Sequence, residues 1–147
     1  IGKNINMILP IEANTSSSSD KYTSIWLSPD EWMIFSNHII DQENNSYEIE
    51  ELLFKKISKT NLGAITDVSD QFILIDLKGE KIFDLLSTGC PLNFEYFKNK
   101  KGAVAQTLLA QIDVIIHNKD IKKINLFVRR SFSEHLMSWI NDAASRL

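Results

Sequence analysis

A single cysteine in 147 residues leaves nothing from which to build an internal disulfide framework, and Cys90 alone cannot complete a cysteine metal set. This usage fits a reducing compartment and predicts a cytoplasmic protein. His38, His117 and His135 are too scattered for metal-ligand spacing. The chain also lacks a G-x-G-x-x-G loop, a P-loop and a G-x-S-x-G turn. An excess of basic charge is missing too. Sixteen basic side chains face nineteen acidic ones, for a net charge of −3, which argues against a nucleic-acid footprint and a polybasic membrane patch. No apolar run approaches the ~18 residues of a membrane span. No internal repeat or interdomain linker is visible. The chain opens at Ile1 rather than at methionine, on a strand-like segment, so a preceding N-terminal piece is expected.

What is present is a sound apolar inventory. Hydrophobic residues make up 44% of the chain, and a globular chain of this length buries about 68–70% of its unfolded surface. One domain over residues 1–147, with one continuous core or two closely packed lobes, therefore needs no metal or disulfide staple. Local signals agree best over residues 64–92. Residues 64–68 read as a short strand, and residues 72–77 as a longer one rich in β-branched side chains. Ile73, Ile75 and Leu77 share one face. On the other, Phe72 and Leu74 give way to Asp76 and Lys78, which predicts a strand covered on both sides at its start and wet on one side at its end. Gly79 is placed to N-cap a helix, and Gly89 to close it in the left-handed conformation ahead of Pro91. Ile82, Phe83, Leu85 and Leu86 give that helix its apolar face.

Upstream, residues 5–9 read as a strand ended by Pro10, and residues 12–20, with their T-S-S-S-S run, as a mobile loop. The serines could otherwise be a phosphorylation tract, and the glycosylation patterns at Asn14 and Asn44 read as chance. In residues 24–36 two apolar strands flank Ser28-Pro29-Asp30-Glu31, where proline presets φ for a turn. A hairpin would bring Trp26 near Trp32, as core or as an aromatic platform for a ligand or partner. Burial of Trp32 predicts a loss of roughly 3–5 kcal/mol for Trp32→Ala. Residues 38–45 read as a loop, and Asn45 or Ser46 as the cap of a helix reaching about Lys59. Ile49, Leu52, Leu53 and Ile57 form its stripe, Glu51 and Lys55 an i, i+4 pair, and its charges a solvated face.

Beyond residue 92 lies an irregular aromatic and basic segment, N-F-E-Y-F-K-N-K-K. Phe94, Tyr96 and Phe97 are too many for an idle loop, so some should be tucked into a groove here or on a partner; with Trp26 they are the partner-contact candidates. Interleaved lysines also suit single-stranded nucleic acid, although the rest of the chain supplies no basic surface. Residues 102–110 lead into a strand at 111–117, Asn118-Lys119-Asp120 turns the chain, and residues 123–130 return as a strand. Ser131 and Glu134 have capping-box spacing ahead of a helix whose apolar face is Phe132, Leu136, Trp139, Ile140, Ala143 and Leu147. Helices interspersed among mostly hairpin-connected strands predict an α+β fold, with helices on one face of largely antiparallel sheets.

Chemistry is sparse. Cys90 with a histidine could form a nucleophile pair, but between a helix-ending glycine and a proline it reads as a small, partly buried packing residue. Asp67 and Asp70 could be paired carboxylates or turn formers that satisfy backbone N–H groups. Arg129 and Arg130 could recognise an anion, or Arg130 could pair with a carboxylate. No residue is assigned a catalytic or metal role.

Four ordered segments resemble the gamma subunit family of heterotetrameric sarcosine oxidase: W-L-S-P-D-E-W-M-I (residues 26–34), T-D-V-S-D-Q (66–71), G-C-P-L (89–92) and A-Q-T-L-L-A (105–110). R-S-F and the aromatic helix over residues 130–139 fit the same pattern. Ser28 departs from the family's more usual glycine, and the serine-rich N-terminal region carries no family signal. The resemblance implies the folate-binding fold of the aminomethyltransferase superfamily and an assembly subunit rather than an enzyme by itself. The complex so implied oxidatively demethylates sarcosine to glycine and passes the one-carbon unit to tetrahydrofolate on the alpha subunit. Its flavin chemistry lies on the beta subunit, with a second flavin between alpha and beta. Implied partners are alpha, beta and delta subunits. FAD, FMN, NAD, tetrahydrofolate and zinc are implied for the complex, and none is assigned to this chain. The alternatives are a stand-alone folate-binding one-carbon module and an unrelated α+β adaptor. Lys101-Gly102 followed by A-V-A-Q departs from the K-G-C-Y-x-G-Q-E pattern of the superfamily's iron–sulfur-assembly branch.

Overall fold

The computed structural model describes residues 7–37, 48–57, 59 and 63–147. The chain divides into two compact units, Ile1–Asp67 and Val68–Leu147.

In the first unit, β1 (Ser16–Ser18), β2 (Tyr22–Ser28) and β3 (Glu31–Ser36) form an antiparallel sheet in that order. The β2–β3 hairpin forms where proline and alternation place it. Trp26 stands opposite Trp32, a register shift follows between Trp26 and Ser28, and the Ser28 hydroxyl donates to Asp30 Oδ1 at 2.7 Å across the turn. Ile25 and Met33, also opposite each other, are buried. The stretch read as a loop over residues 12–20 contains β1, whose serines pair with Thr23, Ser24 and Ile25. An added strand is ordered by its backbone ladder, so serines that bury little apolar surface can still take part. Residues 7–9 lie in no regular element, against the expected strand, although Met7 is buried in a small cluster with Leu53. Residues 5 and 6 of that strand lie outside the described residues, as do the loop at 38–45 and the Asn45 and Ser46 caps.

Helix α1 spans Glu48–Ile57, with Lys55 and Lys56 in its last turn and the expected Glu51–Lys55 ion pair at 3.4 Å. Leu53 is buried, whereas Leu52, placed in the same stripe by spacing, is 41% exposed. Residues 64–68 form no strand. The β-branched preference of Ile65 and Val68 alone is not enough to make one.

In the second unit, β4 (Phe72–Lys78), β5 (Val104–Leu109), β6 (Ile112–Asp120) and β7 (Lys123–Arg129) form an antiparallel sheet of order β4-β7-β6-β5. Alternation sends Ile73, Ile75 and Leu77 of β4 to the same side as Val114 and Ile116 of β6 and Ile124, Leu126 and Val128 of β7. Three helices pack on that side: α2 (Ile82–Ser87), α3 (Phe94–Phe97) and α4 (Ser133–Ala144). The result is the α+β arrangement expected, with helices on one face. The opposite face is less covered on β4 than alternation suggested, since Leu74 is 44% exposed.

Several end signals work differently from their spacing. Gly79 does not cap α2; it ends β4, donating its N–H to the Lys122 carbonyl at 3.1 Å, and Lys81 is the residue before the helix. Gly89 is not left-handed, because Thr88 continues the helical conformation. Its role is close approach: a Cβ there would lie 2.5 Å from Trp139 Cζ2. The Ser131 capping box is absent, since Arg130–Phe132 forms a 3-10 turn and α4 starts at Ser133 without a side-chain cap. The Ser133 hydroxyl instead donates to the Arg130 carbonyl at 2.8 Å. Residues 118–120 stay in β6, so the β6–β7 turn falls at Ile121 and Lys122. Strand β5, unassigned by sequence, joins β6 through Ala110 and Gln111, which hold φ of 51° and 66° without a glycine.

Candidate functional site

The chemistry-bearing side chains lead to ordinary structural contacts. Cys90 Sγ lies 3.7 Å from Thr107 Oγ1 and packs half-buried against the helix-backed core. Arg130 donates from Nε to the Asp70 carbonyl at 2.9 Å, and its Nη2 sits 3.5 Å from Asp70 Oδ1. The carboxylate option for Arg130 therefore holds, and the turn into β4 is closed by the Val68 carbonyl, which accepts the Gln71 N–H at 2.9 Å. Trp32 is half-buried, with its indole N–H donating to the Pro10 carbonyl at 2.7 Å. Trp26 is half-buried opposite it.

On the sheet face away from the helices, Asp76, Asn125, His117 and Val104 follow one another across β4, β7, β6 and β5. Asp76 pairs with Lys78 at 2.8 Å, while Asn125 and His117 are buried. Burial, helped by Lys119, lowers His117 from its ordinary 6.5 to about 4, so its imidazole is neutral at pH 7. His135 is exposed on α4, and His38 lies outside the described residues. Among the described residues no three His, Cys, Asp or Glu side chains gather around a common metal position.

The segment from Asn93 to Gly102 is held at both ends by side-chain hydrogen bonds. Asn93 caps α3 by accepting the Glu95 N–H at 3.0 Å. Phe94 and Phe97, one turn apart, both point into the core: Phe94 lies 5.7 Å from Phe83, and Phe97 meets Phe94 edge-on at 5.9 Å. At 5% and 9% exposure these two fill a groove of this chain, one of the two places expected for such rings. Between them Tyr96 is turned outward and 83% exposed. Asn118, fully buried in β6, holds the far end: its Nδ2 donates to the carbonyls of Phe97, Lys98 and Lys100 at 2.7, 3.2 and 3.1 Å. Sequence reasoning missed this residue because an asparagine followed by lysine and aspartate looks like a turn. The only signal against that reading was the unbroken strand alternation leading into it.

A four-stranded antiparallel sheet backed on one face by helices, presenting a clamped aromatic loop, defines an α+β chain. Residues 1–146 match the sarcosine oxidase, gamma subunit family, and the chain belongs to that family. Its fold is similar to that of a chain in heterotetrameric sarcosine oxidase from Corynebacterium sp. U-96 in complex with pyrrole 2-carboxylate. The TM-score is 0.85 at 20% identity, over 99% of this chain and 71% of that one. No curated protein sequence matches. No helix among the described residues is long and apolar enough to cross a membrane.

Proposed function

We propose that this gamma-subunit chain is a non-catalytic assembly component of a cytoplasmic heterotetrameric sarcosine oxidase, working with alpha, beta and delta subunits. In this reading the complex demethylates sarcosine to glycine and hands the one-carbon unit to tetrahydrofolate, while the flavins, NAD, folate and zinc reside on the other subunits. The observation that carries it is family membership across residues 1–146. It is supported by the way Cys90 is engaged in packing and Arg130 in contacts with Asp70.

Co-production with the remaining subunits tests the proposal. The expected result is co-purification with a large flavoprotein pair; a stable monomer that ignores such partners overturns it. Tetrahydrofolate titration of the separate chain should show no tight binding. Tight binding would replace the assembly reading with that of a folate-binding module.

A further inference from the structure

Residues 93–102 hold an exposed tyrosine more firmly than a connecting loop requires. A capping side chain fixes the start of α3, two phenylalanines root it in the core, and a buried amide gathers three carbonyls at its end. Ordering costs are thereby met before any partner arrives, and a rigid exposed aromatic is the commonest type of interface anchor. The charge around it is also distinctive. Lys98, Lys100 and Lys101 fall within four residues of a chain whose net charge is −3. The nearest carboxylate on the segment, Glu95, is engaged by Lys98 at 2.9 Å.

We propose that this segment is the docking surface through which the chain meets an acidic face of another subunit of its complex, with Tyr96 as the anchor and the exposed Lys101 supplying charge complementarity. The inference rests on the assembly reading and adds the place and the chemistry of contact. A single-stranded nucleic acid is the less suitable occupant, since such ligands stack on successive aromatic rings and Phe94 and Phe97 are buried.

The test is the affinity of the full chain for the remaining subunits, measured by surface binding at two salt concentrations. Tyr96→Ala should weaken association about tenfold or more while leaving the melting temperature unchanged. Lys101→Glu should weaken it further and flatten its salt dependence. Lys21→Glu, an equal change of net charge on the exposed Lys21 of the first unit, should leave affinity unchanged. If Tyr96→Ala and Lys101→Glu both bind like the wild type, the docking surface is overturned and the assembly reading stands. A wild-type chain that fails to associate at all overturns both. Tyr96-dependent binding of a single-stranded oligonucleotide, with subunit affinity unaffected, assigns the surface to nucleic acid and also overturns the proposal.

Discussion

In the sheet of the second unit, Ile116, Ile124, Leu126 and Val128 are fully buried in one cluster with Leu86 and Leu136. In the sheet of the first unit Ile25 and Met33 are buried too, but hydroxyls and amides stand beside them. The Thr23 hydroxyl donates to Asn37 Oδ1 at 2.6 Å, Ser18 lies 3.0 Å from Thr23 Oγ1, and the Asn37 amide donates to the Ser19 carbonyl at 2.7 Å. Thr23 is buried, and among the described residues an apolar cluster of that unit is built on Met7 and Leu53. The two sheets share antiparallel pairing but not what stabilises them. Hydrogen bonds exchange water partners for protein partners and contribute about 1 kcal/mol net each, whereas a fully buried aliphatic side chain contributes roughly 1.5–3 kcal/mol. Order in the first unit should thus be spread over many small contributions, and in the second concentrated in a few residues.

Leu126→Ala should show that concentration most strongly. A loss of about 2–5 kcal/mol is expected in a denaturant titration. A loss below about 1 kcal/mol would mean that the cluster is loosely packed and would break the contrast.

His117 gives the second unit a dependence on acid. Its folded pKa of about 4 lies below the ordinary 6.5, so the unfolded chain takes up the proton first as pH falls. The stabilisation is complete above about pH 6.5 and is lost as pH falls through about 4, by roughly 3 kcal/mol in all. Denaturant midpoints of wild type and His117→Asn, compared at pH 7 and pH 4, should show a steeper decline in the wild type. Parallel declines would refute the assignment.

Gly89→Ala places a methyl group against the Trp139 ring. A cost of about 1–3 kcal/mol is expected, since overpacking displaces side chains or backbone. Combining it with Trp139→Leu should recover most of the loss if ring contact is the cause. Trp32→Ala should have the smallest effect, about 1–2 kcal/mol, because the half-buried indole contributes part of its apolar area and one hydrogen bond. This revises the 3–5 kcal/mol that full burial would give. A measured loss in that higher range would mean that the first unit too depends on a concentrated apolar core.

Legibility followed the same division. The Trp26–Trp32 hairpin, β4, the inward face of α2 and, on α4, Leu136, Ile140 and Ala143 were readable because alternation, helical spacing and Pro29 act locally, whereas Phe132 and Leu147, expected on the same face, are exposed. Strand β1 was not, since its serines are ordered by a neighbouring backbone. The β5–β6 turn was not, because Ala110 and Gln111 adopt positive φ without the glycine or asparagine that normally announces it. At the candidate surface, residues 93–101 stood out by their aromatics, but one short turn of F-E-Y-F does not say which ring faces out. The spacing of Phe94 and Phe97 puts them on one side of α3, and only the position of the core decides that Tyr96 lies on the other.

The sequence by itself determined the α+β class, most of the core-facing residues and the family pattern carried by the segments around Trp26, Thr66, Gly89 and Ala105. Each depends on periodicity or on a local run of residues. Tertiary structure alone decided that Gly89 makes room for Trp139 rather than ending a helix, that Asn118 clamps a loop rather than turning a strand, and that Tyr96 is the aromatic left outside. In each case the physical reason is a contact partner distant in sequence, made by packing and hydrogen bonding that no local propensity encodes.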